Sequence, residues 1–407
     1  MKAMKIRKNC WCECHLASAK RWRAERKKRN AQANRLLIAL IILANIPISL
    51  VESEIFRRFV NYLAPWYQVP WRKTFNKILD HTYISGQKFM KKELEGKTVS
   101  LTLDLATVLN STRHFIVCSV HYLADRSSNI MKCCTLYVSQ MTQRSTSADI
   151  CRSLNTALVE FGVDVDQVIS TCTDRGANVL KACKDLFGEN KVTSCVCHLA
   201  DNVVQDSLYS LPIVYALLKD VKQIAGFIKR SPTAANLLRT FQMQTGKTYS
   251  ACLMPIQSVR TRWNSTLACI RRYIELHHHI KKVLSHPSLN SSKTKPPGVP
   301  DVAVASLSEM ASVLIPFEEL TKTFSSSTRM RSSAVVASIK GLILKIESTS
   351  LTEPVAKSLK EKLLLKLNEK KAAIEGNKVF CAANLVDPRY SSKQFFKILN
   401  ASQTESK

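Results

Sequence analysis

Two aspartates stand where a pair of carboxylates would hold a metal ion. Asp104 follows the apolar, β-branched run VSLTL, and Asp174 follows the run VISTCT. If both runs are strands, the two carboxylates lie at strand ends and are candidates for neighbours in one sheet. Paired carboxylate oxygens are suitable ligands for Mg²⁺ or Mn²⁺, and such metals activate water in phosphodiester cleavage. The other interpretation is that both are ordinary turn residues, because turns after strands favour aspartate.

A cysteine and a histidine follow soon after Asp174. Cys195 and His198 form a Cys-x-x-His pair in the stretch CVCHLADNVVQDSL. The pair supplies only two of the four ligands of a structural zinc site, so zinc is not expected in this chain. KVTSCVCH is predicted to be a strand, and Cys197 is expected to point away from the pair. We therefore favour a positioning or packing role for Cys195 and His198 over metal binding.

The region between residues 99 and 211 predicts the elements that position these side chains. Alternating apolar residues predict strands in VSLTLDLA, RHFIVCSVHYL, IMKCCTLYVSQ, VDQVISTCTD and KVTSCVCH, the first of them ending near Asp104. Helical spacing predicts helices in DICRSLNTALVEFG, ANVLKACKDLFG and LADNVVQDSLYSL, the first two ending at Gly162 and Gly188. Three strands followed by alternating helices and strands are typical of a mixed α/β sheet with helical crossovers.

The charge of the chain points to a polyanionic partner. Its 407 residues include 60 Lys and Arg against 31 Asp and Glu, which gives a formal net charge of +29. Nucleic acid is therefore the expected partner. The densest run, KRWRAERKKR, is typical of a nuclear import signal or a phosphate-binding arm, and a solvated helix start is the alternative. Its candidate DNA-binding cations are Lys20, Arg21, Lys27, Lys28 and Arg29.

Composition changes along the chain predict five regions. They are a basic flexible arm (1–35), a helical segment (36–98), the mixed core (99–211), an all-helical region (212–376) and a return to the core with a polar tail (377–407). Residues 36–51 are apolar, but Asn45 and Pro47 interrupt them and a membrane span needs about 20 residues. A buried helix is expected there, and no membrane anchor. Pro65 and Pro70 are expected to break the segment that follows into short pieces.

Several motifs in a fixed order resemble the hAT superfamily of transposases and the BED zinc-finger proteins derived from them. The central ones are TCTDRGANVLKA, CVCHLADNVVQDSL and TRWNSTL. Others precede them (SLVESEIFRRFVNYLAPWYQVPWRKTF and LTLDLATVLNSTRHFIVCSVHYL) or follow them (IPFEELTKTFSSS and AANLVDPRYSSKQF). The resemblance covers nearly the whole chain, from about Ala39 to Phe396. It implies an α/β fold with a ribonuclease H-like mixed sheet and a large all-helical insertion.

The resemblance also assigns roles to the candidate site residues. Asp104 and Asp174 are similar to the first two of three acids that hold divalent metal, Mg²⁺ or Mn²⁺, for DNA cleavage and joining. Cys195 and His198 are similar to a Cys-x-x-His pair that lies close to the active site.

A further motif, Arg262-Trp263, is similar to one in which the tryptophan stacks on a DNA base. An aromatic ring beside a guanidinium suits an unstacked base. Without the resemblance, Arg262 and Trp263 predict a helix start whose tryptophan lies in the core, because tryptophan is mostly buried.

Two features of the family are not found in the sequence. The third acid, a glutamate in a Ser-Glu-Arg-x-Phe-Ser segment, has no counterpart before Lys407, and Glu318 and Glu319 match the helical insertion instead. No intact BED finger precedes the core. Our hypothesis from the sequence is a transposase-derived nuclear protein that binds nucleic acid or regulates transcription, without transposition activity.

Two alternatives to this hypothesis belong to other classes. One is an active metal-dependent nuclease or transposase fragment, with its glutamate supplied by another chain or by Glu318 or Glu319. The other is a protein-interaction scaffold that uses the helical region. A homo-oligomer, or an assembly with related transposase-like chains, is also considered, although the family's dimer-forming segment is not found before Lys407.

Overall fold

The chain divides into two compact units, Met1–Glu95 and Gly96–Lys407, and each has a hydrophobic core of its own. The structure, a computed structural model, describes the following residues, with side chains from residue 20 onward: 13–108, 113–125, 130–141, 146–174, 176–259, 263–290, 295–325 and 332–390. The division between the units lies close to residue 99, where the mixed core is predicted to begin.

The described part of the first unit contains three α-helices, α1 (Glu13–Leu43), α2 (Glu54–Leu63) and α3 (Arg72–Leu94). Leu37 and Ile41 of α1 pack with Phe75 of α3 in a small core. The prediction of a flexible basic arm over residues 1–35 does not hold for residues 13–35. These residues belong to α1, which continues past residue 35 without a break. The buried turns stabilise the helix, and the Ala, Lys and Arg residues before them have high helix propensity, so the helix extends toward the N-terminus.

The loops of the first unit follow the predicted chain breaks. α1 ends before Asn45, whose φ is 52°, and the segment between α2 and α3 contains Pro65 and Pro70, as predicted. The guanidinium of Arg57 holds this segment, because it donates to the carbonyl oxygens of Val51 (2.8 Å) and Val69 (2.7 Å). Among the helices that the structure describes, none combines the length and the apolar character needed to cross a membrane.

The second unit begins with strands and continues mainly with helices. Its strands are β1 (Val99–Thr107), β2 (His114–Leu123), β3 (Met131–Met141), β4 (Val168–Thr173) and β5 (Val192–Ser194). Its helices are α4 (Ser147–Phe161), α5 (Ala177–Phe187), α6 (Val196–Ser210), α7 (Pro212–Arg230), α8 (Pro232–Met243), α9 (Trp263–Leu284), α10 (Asp301–Phe324), α11 (Val335–Ser348), α12 (Pro354–Glu375) and α13 (Lys378–Val386).

The five strands form one mixed sheet in the order β3-β2-β1-β4-β5. β1 pairs antiparallel with β2 and parallel with β4, and β4 pairs parallel with β5. The predicted mixed α/β class is therefore confirmed. β1 does not end near Asp104 as predicted, because its last residues pair with the start of β2, down to Thr107 opposite His114. This pairing is long-range, and local alternation does not show it.

The two faces of the sheet differ in burial. Leu101 and Leu103 of β1 and Thr171 and Thr173 of β4 are buried. Cys183 of α5 lies against this face, since its thiol interacts with the Thr171 hydroxyl. The residues that alternate with these point to the opposite face, which is more open. The more open face is therefore where polar side chains of β1 and β4 are accessible.

Glycines end the two helices that connect the central strands. Gly162 follows α4 in the left-handed conformation (φ 63°), and its N–H bonds to carbonyl oxygens of the last turn. Gly188 follows α5 with φ 88°. Both predicted helix ends are confirmed, because only glycine adopts such φ values without a steric cost from a Cβ atom.

The region from α7 to α12 is helical and shares one large core with α6 and α13. α13 then returns to the sheet. Asn377 caps this helix by accepting from the backbone N–H groups of Val379 (3.1 Å) and Phe380 (3.2 Å), and its amide donates to the carbonyl oxygen of Val192 in β5 (2.9 Å). The predicted tail beyond residue 390 lies outside the described residues.

Candidate functional site

The sheet brings Asp104 and Asp174 together. Leu103 pairs with Thr173 in the parallel β1–β4 ladder, so the two aspartates follow paired residues on neighbouring strands. Side chains alternate along a strand, and both carboxylates therefore leave the sheet on its more open face. Neighbouring strands lie about 4.8 Å apart, which places the two side chains within reach of one ligand. The juxtaposition predicted from the sequence is thus present.

The two carboxylates differ in their hydrogen bonds. Oδ1 of Asp174 accepts from the backbone N–H of Gly176 (3.1 Å) and from the Thr173 hydroxyl (3.4 Å). This turn fixes the carboxylate at the start of α5, and a Cβ atom on Gly176 would lie 3.1 Å from the same oxygen. Asp104 is exposed, and within the described residues its carboxylate has no hydrogen-bond partner. Asp104 and Oδ2 of Asp174 are therefore open to an external ligand.

The aspartates line a cleft of about 760 Å³, which we call the two-aspartate cleft. Its walls come from β1, β2 and β4, from the start of α6 and from the helical region. The residues that matter below are Asp104, Asp174, Cys195, Cys197, His198, Asp201 and Trp263. The cleft therefore collects both predicted acids and the Cys-x-x-His pair. A volume of this size accommodates a nucleotide-sized group.

The stretch around Cys195 does not have the predicted conformation. β5 ends at Ser194, Cys195 is the N-cap of α6, and His198 lies in the first turn of that helix. The reason is visible in the burial of α6, whose buried residues follow helical spacing from Val196 onward. The prediction that Cys197 points away from Cys195 is wrong, because residues two apart in a strand share one face and because Cys197 lies on α6. Cys197 is on the helix, and its thiol contacts Cys195.

Three thiols form a cluster at the floor of the cleft. The Cys195 sulfur interacts with the thiols of Cys172 in β4 and Cys197 in α6, and Cys197 also donates to the carbonyl oxygen of Thr321 at 3.8 Å. The interactions with Cys172 and Cys197 lower the pKa of Cys195 to about 2, and its position at a helix N-terminus acts in the same direction. The pKa values of Cys172 and Cys197 are raised, because each thiol keeps its proton to donate and is partly buried. Of the three thiols, Cys195 is therefore the one that gives up its proton most readily.

Asp201 is a residue of the cleft that sequence reasoning missed. It lies on α6, one turn after Cys197, and its Oδ1 accepts from the backbone N–H of Trp263 at 3.1 Å. It also accepts from the Gln205 amide at 3.4 Å. The carboxylate therefore caps α9 and joins the sheet side of the cleft to the helical side. The signal that would find it is the helical spacing of α6, which places Asp201 on the same side as Cys197 and His198.

Glu318 and Glu319 do not line the cleft. Glu318 is bound to Arg271 (2.9 Å) and Lys322 (3.3 Å), and Glu319 is bound to Lys345 (2.7 Å). Neither glutamate therefore supplies a third carboxylate to the cleft in this structure. Within the described ranges, no group of three or more His, Cys, Asp or Glu side chains is arranged to hold a metal ion.

Trp263 begins α9 and is 3% exposed. Its ring meets Phe317 edge-on, at 6.2 Å between centroids and 73° between planes, inside the core of the helical region. The indole is therefore not available here as a stacking surface, and the arrangement is the core tryptophan that the residues alone predict. Arg262, the other half of the predicted pair, lies outside the described residues.

The predicted basic residues of α1 belong to the first unit. Lys20, Arg21, Lys27 and Lys28 are exposed. Arg29 is exposed as well, and its guanidinium lies 4.4 Å from the ring centroid of Trp66. These cations are thus available on one helix to phosphate groups of a polyanion.

Known proteins that are similar to this chain include transposases and BED-type zinc-finger proteins. A family model described as the ZBED1 RNase-like helical domain matches residues 193–301, from β5 to the start of α10. The chain is 25% identical over 278 residues to the transposable element Hobo transposase of Drosophila melanogaster, covering 68% of this chain and 38% of that protein. It is 24% identical over 376 residues to zinc finger BED domain-containing protein 4 of Homo sapiens, covering 88% of this chain and 30% of that protein.

The chain is related to the hAT transposases and the BED-type proteins derived from them. A third relative is the putative transcriptional regulator tpeD of Talaromyces stipitatus, 22% identical over 275 residues, or 58% of this chain and 31% of that protein. The chain spans about a third of the length of these hAT-related proteins. The predicted resemblance is thus confirmed, and the similar proteins include both transposases and one named as a putative transcriptional regulator.

Proposed function

We propose that this chain is a transposase-derived, nucleic-acid-binding regulatory protein of the nucleus. The observation that carries the proposal is the placement of Asp104 and Asp174 side by side in an open cleft of a chain with a net charge of +29. A chain with such an excess of cations and an open acidic pair in its cleft has a site for a cation that bridges to phosphate. The names of its relatives, transposases and a transcriptional regulator, support DNA as the polyanion.

The acidic pair defines the metal that the cleft would hold. Asp104 and Asp174 offer hard oxygen ligands, which fit Mg²⁺ or Mn²⁺. Mg²⁺ commonly binds through one or two carboxylates, several waters and the phosphates of its ligand. In the proposal, a divalent cation on the pair neutralises the phosphate of a bound strand.

We propose binding, and not cleavage, as the activity of the cleft. Asp201, the third acid that lines the cleft, caps α9, and Glu318 and Glu319 lie outside the cleft and are paired with cations. A nuclease is the alternative that a third carboxylate, supplied by another chain, would support.

The test is a titration of the purified chain with fluorescent duplex and single-stranded DNA. It is run at two salt concentrations, with and without Mn²⁺, and the DNA is then examined for cuts. We expect binding that weakens steeply with salt, strengthens with Mn²⁺ and leaves the DNA intact. Binding insensitive to salt would instead favour a protein-interaction scaffold, in which apolar burial dominates.

Three variants make the test specific. Asp104→Asn and Asp174→Asn should lose the increase in affinity that Mn²⁺ provides, whereas affinity without metal should stay equal or rise, because a repulsive charge is removed. Asp166→Asn is the matched control, since Asp166 is an exposed aspartate of the same unit outside the cleft. Cutting by the wild type that Asp174→Asn abolishes would overturn the proposal in favour of a nuclease.

A further inference from the structure

A second cavity of about 600 Å³ lies in the helical region. It is formed by the end of α6, one face of α7 and the segment that precedes α9, and we call it the tyrosine–lysine pocket. It shares no lining residue with the two-aspartate cleft. On α7, the pocket face carries Tyr215, Lys219, Lys222 and Arg230, which recur at helical spacing. One face of α7 thus presents an aromatic ring and three cations to a single cavity.

The cations of the pocket are not neutralised by acids. No aspartate or glutamate lines the cavity, and among the described residues Lys219, Lys222 and Arg230 have no carboxylate within ion-pair distance. Lys222 donates instead to the hydroxyl of Tyr209 at 2.7 Å. Three converging cations without a counter-charge attract an anion, and walls of low dielectric strengthen that attraction.

The position of Arg230 depends on a glycine. A Cβ atom on Gly226 would lie 2.9 Å from one guanidinium nitrogen of Arg230 and 3.4 Å from the amide oxygen of Gln257. The guanidinium is therefore folded back over the bare backbone of its own helix, one turn earlier, toward Gln257. Without a side chain at Gly226, the planar donor fork of Arg230 lies at the pocket, a geometry that suits phosphate oxygens.

Two tyrosines form the aromatic side of the cavity. The rings of Tyr209 and Tyr215 are 5.8 Å apart between centroids and inclined by 59°. Tyr215 is 46% exposed, so it offers an accessible ring beside the cations. A base stacked on such a ring gains affinity without needing a particular sequence.

We propose that the tyrosine–lysine pocket binds a nucleoside phosphate. Lys219, Lys222 and Arg230 hold the phosphate, and the Tyr215 ring stacks on the base. The cavity volume is within the range of small-ligand sites. The shared chemistry, one phosphate next to one planar base, is found in a free nucleotide and in a nucleotide of a single strand. The inference is independent of the cation-bridged binding proposed for the two-aspartate cleft.

Calorimetric titration of the full chain with four probes tests the proposal. The probes are adenosine 5′-monophosphate, adenosine, ribose 5-phosphate and a short single-stranded oligodeoxyadenylate. The monophosphate should bind, and adenosine and ribose 5-phosphate should bind at least about tenfold more weakly, because each lacks one of the two recognised groups. Binding of the monophosphate identifies a site for a free nucleotide. If only the oligonucleotide binds, and the α7 variants described below weaken that binding, the pocket is a site for a nucleotide within a single strand.

Variants of α7 locate the binding. Lys222→Ala and Arg230→Ala should each weaken binding by about tenfold or more, since each removes a charge-assisted hydrogen bond. Gly226→Ala should weaken it several-fold while the helix stays folded, because it displaces the guanidinium of Arg230. Lys229→Ala is the charge-matched control, as Lys229 is exposed in the last turn of α7 and does not line the pocket.

Two outcomes would overturn the proposal. One is the absence of binding by every phosphate-bearing probe. The other is an equal loss of affinity in Lys229→Ala and Lys222→Ala, which would mean that only the overall charge attracts the probe. Asp174→Asn should leave the titration with the monophosphate unchanged, so a failure of the two-aspartate cleft is distinguished from a failure of the pocket.

Discussion

Cys195 shows how the chemistry of one residue depends on its two neighbours. A thiol accepting hydrogen bonds from Cys172 and Cys197 is more stable as a thiolate, and its pKa is lowered to about 2. Cys381 has the opposite surroundings, since burial raises the pKa of its thiol. The two cysteines should therefore differ in how pH affects their reactivity, because the thiolate is the nucleophile.

We predict that alkylation of Cys195 by iodoacetamide is nearly independent of pH between about pH 5 and pH 8. Over this range Cys195 is already a thiolate, whereas Cys381 should react faster with each rise in pH. The measurement is the labelling rate of each cysteine by peptide mass spectrometry. In Cys172→Ala a hydrogen-bond donor is lost, so the pKa of Cys195 rises and its rate should become pH-dependent. A pH-dependent rate in the wild type would contradict the thiolate assignment.

The sequence predicts the acids of the site better than its sulfur chemistry. Asp104 and Asp174 follow apolar runs, and the alternation within each run is enough to predict a strand. The thiol cluster depends on Cys172 in β4 meeting Cys195 at the start of α6, which only the β4–β5 pairing brings about. Trp263 is ambiguous for the same reason, since its burial depends on Phe317 of α10.

At the scale of elements, Asp201 connects α6 to α9. Its carboxylate accepts the first backbone N–H of α9, a group that has no partner inside the helix. Side-chain caps of this kind contribute about 1 kcal/mol to the stability of a protein. α9 contributes Trp263 to the lining of the cleft and its buried residues to the helical core. The bond from Asp201 therefore links α6 to the helix that belongs to both.

We predict that Asp201→Ala lowers the free energy of unfolding by about 0.5–2 kcal/mol. Asp201→Asn should cost less, because its amide oxygen still accepts from the N–H of Trp263. Urea unfolding followed by circular dichroism measures the change. Asp206→Ala is the control, since Asp206 is an exposed aspartate of the same helix outside the cleft. Equal losses of stability in Asp201→Ala and Asp206→Ala would show that the cap contributes nothing.

The sequence predicts the types of the elements well and their ends less well. The five strands and the helices ended by Gly162 and Gly188 follow from alternation, helical spacing and glycine conformation. The junction at Cys195 was misplaced, because a short apolar run fits both a strand and a helix start. The helical spacing of Val196, Leu199 and Ala200 distinguishes the two, and β5 is correspondingly short.

At the scale of the whole molecule, positive charge is present in both compact units. In the first unit, the exposed cations of α1 lie on a continuous helix. In the second unit, cations line the tyrosine–lysine pocket. The net charge of +29 therefore includes a basic surface in each unit. Each phosphate of B-DNA that a cation contacts adds about 0.9 to the magnitude of the slope of log affinity against log salt.

The salt dependence of DNA binding separates α1 from the general charge of the chain. We predict that changing Lys20, Arg21, Lys27 and Lys28 to alanine lowers non-specific DNA affinity and reduces the slope of log affinity against log salt by up to about 3.6. Changing Lys73, Lys77, Lys91 and Lys92 of α3 removes the same charge from exposed positions in the same unit and serves as the control. The α3 variant should retain most of the slope, because a contact with phosphate depends on position and not only on net charge.

The same α1 variant, fused to a fluorescent protein in cells, should accumulate less in the nucleus than the α3 variant. Equal slopes for the two variants would assign the attraction to the field of the whole chain, and equal nuclear accumulation would remove the import role of α1.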